Sequence, residues 1–143
     1  MPFRYLEDIA TADVAFEAWG ATVEDAFVAA ADATMNVMVQ DLASIVARER
    51  RPIRVTSDAL DMLLFELLQE LIYWKDAGQL LLRIPKVVVQ RHQDHLLLSA
   101  EAYGEQLDPQ RHDLIVDVKA VTLHRFRVEQ TPEGWLAFVI LDI

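Results

Sequence analysis

The sequence predicts an α+β fold, with two helices packed on a mostly antiparallel β-sheet in a single compact domain over residues 1–143. Three observations carry that prediction. Two long segments repeat their apolar residues at helical spacing, and many short apolar runs are separated by turn residues. No linker, internal repeat or low-complexity stretch divides the chain. With 143 residues and 53% apolar content, the chain can bury a core without disulfide or metal staples.

Asp13 to Gly20 alternates with period two, setting Val14, Phe16 and Ala18 against Asp13, Ala15, Glu17 and Trp19, and reads as a strand closed by Gly20. Thr22 caps a helix running to about Val39, with Phe27, Ala30, Ala31, Thr34, Met35 and Met38 along its buried stripe. Ile53 to Ser57 is a short strand. Ser57 or Asp58 then caps a second helix, striped by Leu60, Leu63, Leu64, Leu67, Leu68, Leu71 and Ile72, with Gly78 as its C-cap. Beyond it, Leu80 to Ile84 and Lys86 to Gln90 read as strand broken at Pro85, and a turn at 91–94 leads into a strand over Leu96 to Tyr103. Gly104 and Pro109 bracket a loop. Strands follow at Ile115 to His124 and Phe126 to Glu129, and a turn at Thr131 to Gly134 opens the last strand, Trp135 to Asp142.

Composition narrows the function classes. The absence of cysteine removes disulfides, thiolate metal sites and a catalytic thiol, and suits a reducing cytoplasm. Acidic residues early in the N-terminus and the lack of any 18-residue apolar run predict a soluble, unexported protein with no membrane contact. A net charge of −10 opposes direct tight nucleic-acid binding and favours cations and basic protein surfaces.

The candidate chemistry concentrates near the two ends. A strand running through Asp142 to Ile143 would group a carboxylate, the last main-chain carbonyl and the terminal carboxylate, oxygen donors that suit Ca²⁺ or Mg²⁺. A charged residue on a solvated strand end is the simpler account of Asp142 from the tail alone. Asp13, at a turn-to-strand junction, is either a backbone cap or a second carboxylate ligand, the latter only if the first and last strands lie together. Alternation places Lys119 on one strand face with Asp117 and Val121, as an edge guard or a group aimed at a phosphate or an acidic partner. Glu66 and Glu70 share a helix face and read as solvated acidity, although paired carboxylates could serve a metal-dependent hydrolase. His92 and His95 have zinc-like spacing in a hairpin turn without further ligands. No phosphate loop, nucleophile elbow or triad is present, so the chain is not expected to be an enzyme.

Taken together, these segments resemble the archease family, the protein cofactor of the RtcB-type tRNA ligase. Thr11-Ala12-Asp13-Val14 and Trp19-Gly20-Ala21-Thr22-Val23-Glu24-Asp25-Ala26-Phe27 are similar to its opening, and Leu63 to Tyr73 to its second-helix signature. Tyr103-Gly104-Glu105-Gln106-Leu107-Asp108-Pro109-Gln110-Arg111-His112 and Val118-Lys119-Ala120-Val121-Thr122 resemble its most specific blocks, and Gly134-Trp135 and Ile140-Leu141-Asp142-Ile143 its end. Ala10 stands where the family usually has His.

The resemblance implies an archease-like domain over 1–143 that activates an RtcB-type RNA ligase without being catalytic itself. The ligase joins RNA ends bearing a 2′,3′-cyclic phosphate and a 5′-hydroxyl through a guanylylated histidine, in tRNA splicing or RNA repair. Its activator promotes guanylylation and multiple turnover. By the same resemblance, Asp13, Asp142 and the main chain of Ile143 would hold a divalent cation, typically Ca²⁺, and Lys119 would act at the ligase active site. The alternative is a more general chaperone or interaction module for RNA-processing proteins.

Overall fold

The computed structural model describes residues 2–7 and 13–143; Ala10, Thr11 and Ala12 of the opening motif lie outside them. Among the described residues, eight strands form two antiparallel sheets and two α-helices pack with them, so the predicted α+β class holds, with the sheet in two parts. The first sheet has the order β1-β2-β8-β7, from β1 (Phe3–Leu6), β2 (Asp13–Gly20), β8 (Gly134–Asp142) and β7 (Ala120–Thr131). The second is built around β6 (His95–Gln106), flanked by β3 (Glu49–Ser57) on one side and by β4 (Leu80–Arg83) and β5 (Val87–His92) on the other.

Helices α1 (Val23–Met38) and α2 (Leu60–Gly78) each touch strands of both sheets and supply the centre of one core. The predicted stripes are the buried ones. Phe27, Ala30 and Met35 of α1, and Leu63, Leu64, Leu67, Leu68 and Leu71 of α2, are fully buried. The alanines of α1 leave no long side chain in the way, which lets the helix lie close to β2 and β8. Thr22 caps α1 as expected, its hydroxyl accepting the Asp25 N–H at 3.1 Å.

Several boundaries differ from the sequence reading, each for a physical reason. The N-cap of α2 is Ala59, with no side-chain cap, while Ser57 Oγ accepts the Ala59 N–H at 3.3 Å. Gly78 remains helical, and Gln79 takes the left-handed C-cap at φ 52°. Gly104 opens no loop. It sits inside β6, where a Cβ would lie 1.7 Å from the Leu81 carbonyl oxygen, so the residue permits β4 to approach. The segment read as two strands after 115 is one strand, β7, bulged between Thr122 and Arg127 and starting only at Ala120. Its neighbour β8 ends at Asp142, which pairs with Ala120, so residues 115–119 are not part of a strand. Strand β1, unread in the sequence, pairs with β2 along Phe3 to Leu6. The closing turn is as expected: Gly134 has φ 148°, and its backbone lies against Gly20.

Candidate functional site

The β2–β8 ladder brings the start of β2 and the end of β8 together. Asp13 is the register partner of Asp142, and Ala120 of β7 faces Asp142 from the other side. Register partners share a sheet face. The adjoining row, Val14, Leu141 and Val121, points into the core, with Leu141 fully buried. The Asp13 and Asp142 side chains therefore belong to the outer face, on the side of the small cluster of Ala15, Phe138 and Ile140. Both aspartates are half-buried, and neither enters an ion pair among the described residues. Like charges directly opposite on paired strands repel.

Lys119 is exposed and precedes β7 rather than lying in it. Its backbone N–H donates to the Asp142 carbonyl at 2.8 Å, which brings the lysine to the same sheet end as the two carboxylates. The predicted face shared by Asp117, Lys119 and Val121 does not exist. Val121 is buried, Lys119 is exposed, and Asp117 accepts from Lys75 at 2.5 Å.

A profile of the Archease protein family matches residues 3–143. The chain belongs to the Archease family. It is 35% identical over 134 residues to protein archease of Pyrococcus abyssi, covering 93% of this chain and 94% of that one. It is 33% identical over 142 residues to protein archease of Methanosarcina mazei, covering 99% and 95%. The solution structure of Methanobacterium thermoautotrophicum protein 1598 superposes with a TM-score of 0.86 at 33% identity, over 99% of both chains. A Thermotoga maritima crystal structure, described as an archease and possible chaperone, shares the fold with a TM-score of 0.56 at 17% identity, over 94% and 93% of the two chains.

The segment around Glu105 forms a buried ionic clasp in this archease-family chain. Glu105 is 3% exposed and accepts from the Val46 N–H at 2.7 Å, from Arg48 Nε at 3.2 Å and from Arg111. The Asp108 N–H donates to His112 Nδ1 at 2.9 Å, so the proton sits on Nε2, which donates to Glu105 at 3.0 Å. The Arg111 guanidinium, with the Val46 amide and His112, outweighs burial and holds the Glu105 carboxyl well below the usual carboxylate range.

A second anchor is Lys75, 6% exposed, whose Nζ donates to the Val118 carbonyl at 2.7 Å and pairs with Asp117 and Asp76. Burial alone would lower its pKa, but the two carboxylates reverse that and raise it. Together the clasp and Lys75 fix both ends of the 107–119 segment that delivers Lys119. Sequence reasoning missed Lys75, yet it sits four residues after Leu71, on the continuation of the buried stripe.

The remaining candidates stay apart from this end of the sheet. His92 and His95 stack edge-on across the β5–β6 hairpin, with ring centroids 5.4 Å apart. Glu66 is exposed and Glu70 half-buried on α2. Among the described residues, no group of three or more His, Cys, Asp or Glu side chains is gathered as a metal set. The Asp13–Asp142 arrangement supplies two carboxylates, with main-chain oxygens of 142–143 beside them.

Proposed function

We propose that this protein is a non-catalytic activator of an RtcB-type RNA ligase, promoting guanylylation of the ligase and its multiple turnover in tRNA splicing or RNA repair. The observation that carries the reading is the in-register pairing of Asp13 with Asp142, in a chain that belongs to the Archease family. Residues 129 positions apart in the sequence, 142 minus 13, are held opposite each other with like charge and no cationic partner among the described residues. A bound cation would remove that repulsion.

The donors fit a hard divalent cation such as Ca²⁺, because all of them are oxygens and two are formally anionic. Asp13, Asp142 and the main-chain oxygen of Ile143 would hold it. The Asp142 carbonyl is less available, since it already accepts the Lys119 N–H. When bound, the cation supplies concentrated positive charge at an otherwise acidic end. The chain's own residues do the rest. The β2–β8 ladder orients the carboxylates, and the Lys119 backbone bond holds that exposed residue at the same sheet end, from which its ammonium would meet an anionic group of the ligase active site. A net charge of −10 draws such an end toward a basic nucleotide-binding cleft.

The test is ligase guanylylation and multiple-turnover ligation with the wild-type protein, Asp13→Ala and Asp142→Ala. Both variants are expected to keep the fold and lose stimulation. Full stimulation by both would overturn the cation-bearing end, and the absence of stimulation by the wild type would overturn the activator reading in favour of a chaperone with other clients.

A further inference from the structure

Leu114, Ile115 and Val116 are three consecutive aliphatic residues exposed at 40%, 52% and 40%. Consecutive exposed aliphatics are rare on a monomer surface without a binding role. Their exposure is built in. The Ile115 N–H donates to the Met38 carbonyl and the Gln40 N–H to the Asp113 carbonyl, each at 2.9 Å, stitching the segment to the end of α1. Lys75 holds the Val118 carbonyl from the other side. The backbone is therefore fixed from behind, and the side chains cannot turn inward.

Ile115 and Val116 form one wall of an open groove of about 560 Å³. Tyr5, Leu6, Val14, Val37 and Ile143 supply the rest of its apolar lining, and Asp13 also borders it. The groove shares Asp13 and Ile143 with the candidate cation site. Asp113, exposed and outside any ion pair among the described residues, flanks the aliphatic run on one side, and Asp117, paired with Lys75, on the other. Tyr5 is tethered by its hydroxyl, which donates to the Ala33 carbonyl at 2.8 Å, so that wall is also preformed.

We infer that this groove is the affinity surface for the ligase, taking a segment that presents one large apolar side chain with Lys or Arg beside it. The inference rests on the activator reading and adds a division of labour to it. The apolar side chain fills the groove, while the basic neighbour meets Asp113 and the net charge of −10 gives a salt-dependent approach. The groove sets how tightly the partner is held, and the adjoining sheet end acts on the ligase once docked. Preformed walls spare the ordering cost that a flexible apolar loop would incur on binding.

The experiment is a titration of ligase guanylylation with the full-length protein, comparing wild type, Val116→Ser, the double variant Ile115→Ser/Val116→Ser, and Tyr73→Ser as an exposed control on α2. Thermal unfolding of each is measured in parallel, and all are expected to match the wild type because the altered side chains face solvent. The double variant should raise the half-maximal concentration about tenfold or more with an unchanged plateau, Val116→Ser less, and Tyr73→Ser not at all. Raising the salt should shift the wild-type midpoint upward. An unchanged midpoint in the double variant, or a lowered plateau at the wild-type midpoint, overturns the groove while leaving the activator reading standing. No stimulation by the wild type overturns both.

Discussion

The main-chain N–H of Lys119 donates to the carbonyl of Asp142 at 2.8 Å, while Asp142 faces Asp13 across the β2–β8 ladder. One cation-bearing side chain and two carboxylates are thereby tied to one sheet end by backbone geometry, independent of their own side-chain contacts. Side-chain substitutions there can be made without removing the scaffold.

Replacing both carboxylates, Asp13→Asn with Asp142→Asn, should leave the protein folded and slightly stabilised in chelator, by roughly 0.5 kcal/mol, because cross-strand repulsion is relieved. Added Ca²⁺ should raise the wild-type Tm, in line with about 2.7 kcal/mol at a hundredfold excess over Kd, and should not shift the double variant. Calorimetry with and without Ca²⁺ checks both outcomes. Equal shifts in the two proteins would place the cation elsewhere.

Lys119→Ala keeps the backbone donor and removes the ammonium, so stability should stay within about 0.5 kcal/mol while stimulation of guanylylation falls. Lys119→Pro retains no N–H and should cost about 1 kcal/mol through the lost bond to Asp142. Chemical denaturation of the two variants separates the roles of side chain and main chain.

Lys75→Met should destabilise the fold by about 2 kcal/mol, chiefly by orphaning the Val118 carbonyl, since Asp76 and Asp117 stay in water. The Lys75 pKa is raised, so its contribution is complete below the ordinary value of 10.5 and is lost as pH rises through the folded value. Wild-type stability should therefore fall above that pH, and the Met variant should lack that part of the decline. Urea midpoints measured from pH 8 to 11.5 test the difference.

Glu105→Gln should cost about 3 kcal/mol at neutral pH, because Arg111 and Arg48 lose their shared buried carboxylate. The native carboxyl titrates below its ordinary value of 4.5, so its contribution is present above that value and lost as pH falls toward the folded pKa. The Gln variant should show a shallower loss of stability between about pH 5 and 3 than wild type. Parallel slopes in acid would remove the clasp from the account.

What the residues alone revealed follows from how local each signal was. Both helices were legible because Phe27, Met35, Leu64 and Leu68 repeat at helical spacing and bury one face whatever packs against it. The Thr131 to Gly134 turn was legible because only glycine adopts its conformation readily. Residues 115–119 were misread because Ile115, Val116 and Val118 carry strand-like composition, and strand status depends on a neighbour that ends at Asp142. Strand β1 escaped notice because Arg4 and Tyr5 interrupt its apolar pattern at a sheet edge. Asp13, Asp142, Ile143 and Lys119 could each be nominated from the sequence, but their meeting depended on long-range register. Glu105 appeared only as part of a family block, since no spacing rule announces a carboxylate buried among arginines.

The pairing of Asp13 with Asp142 spans nearly the whole described chain. Such a contact has a high sequence separation, and the entropy of closing so long a loop is met only when the intervening elements have already condensed. An intact sheet end is consequently a signature of completed folding. Any ligand requiring both carboxylates would discriminate finished molecules from partly folded ones, so ligand occupancy could serve as a real-time gauge of the last folding step.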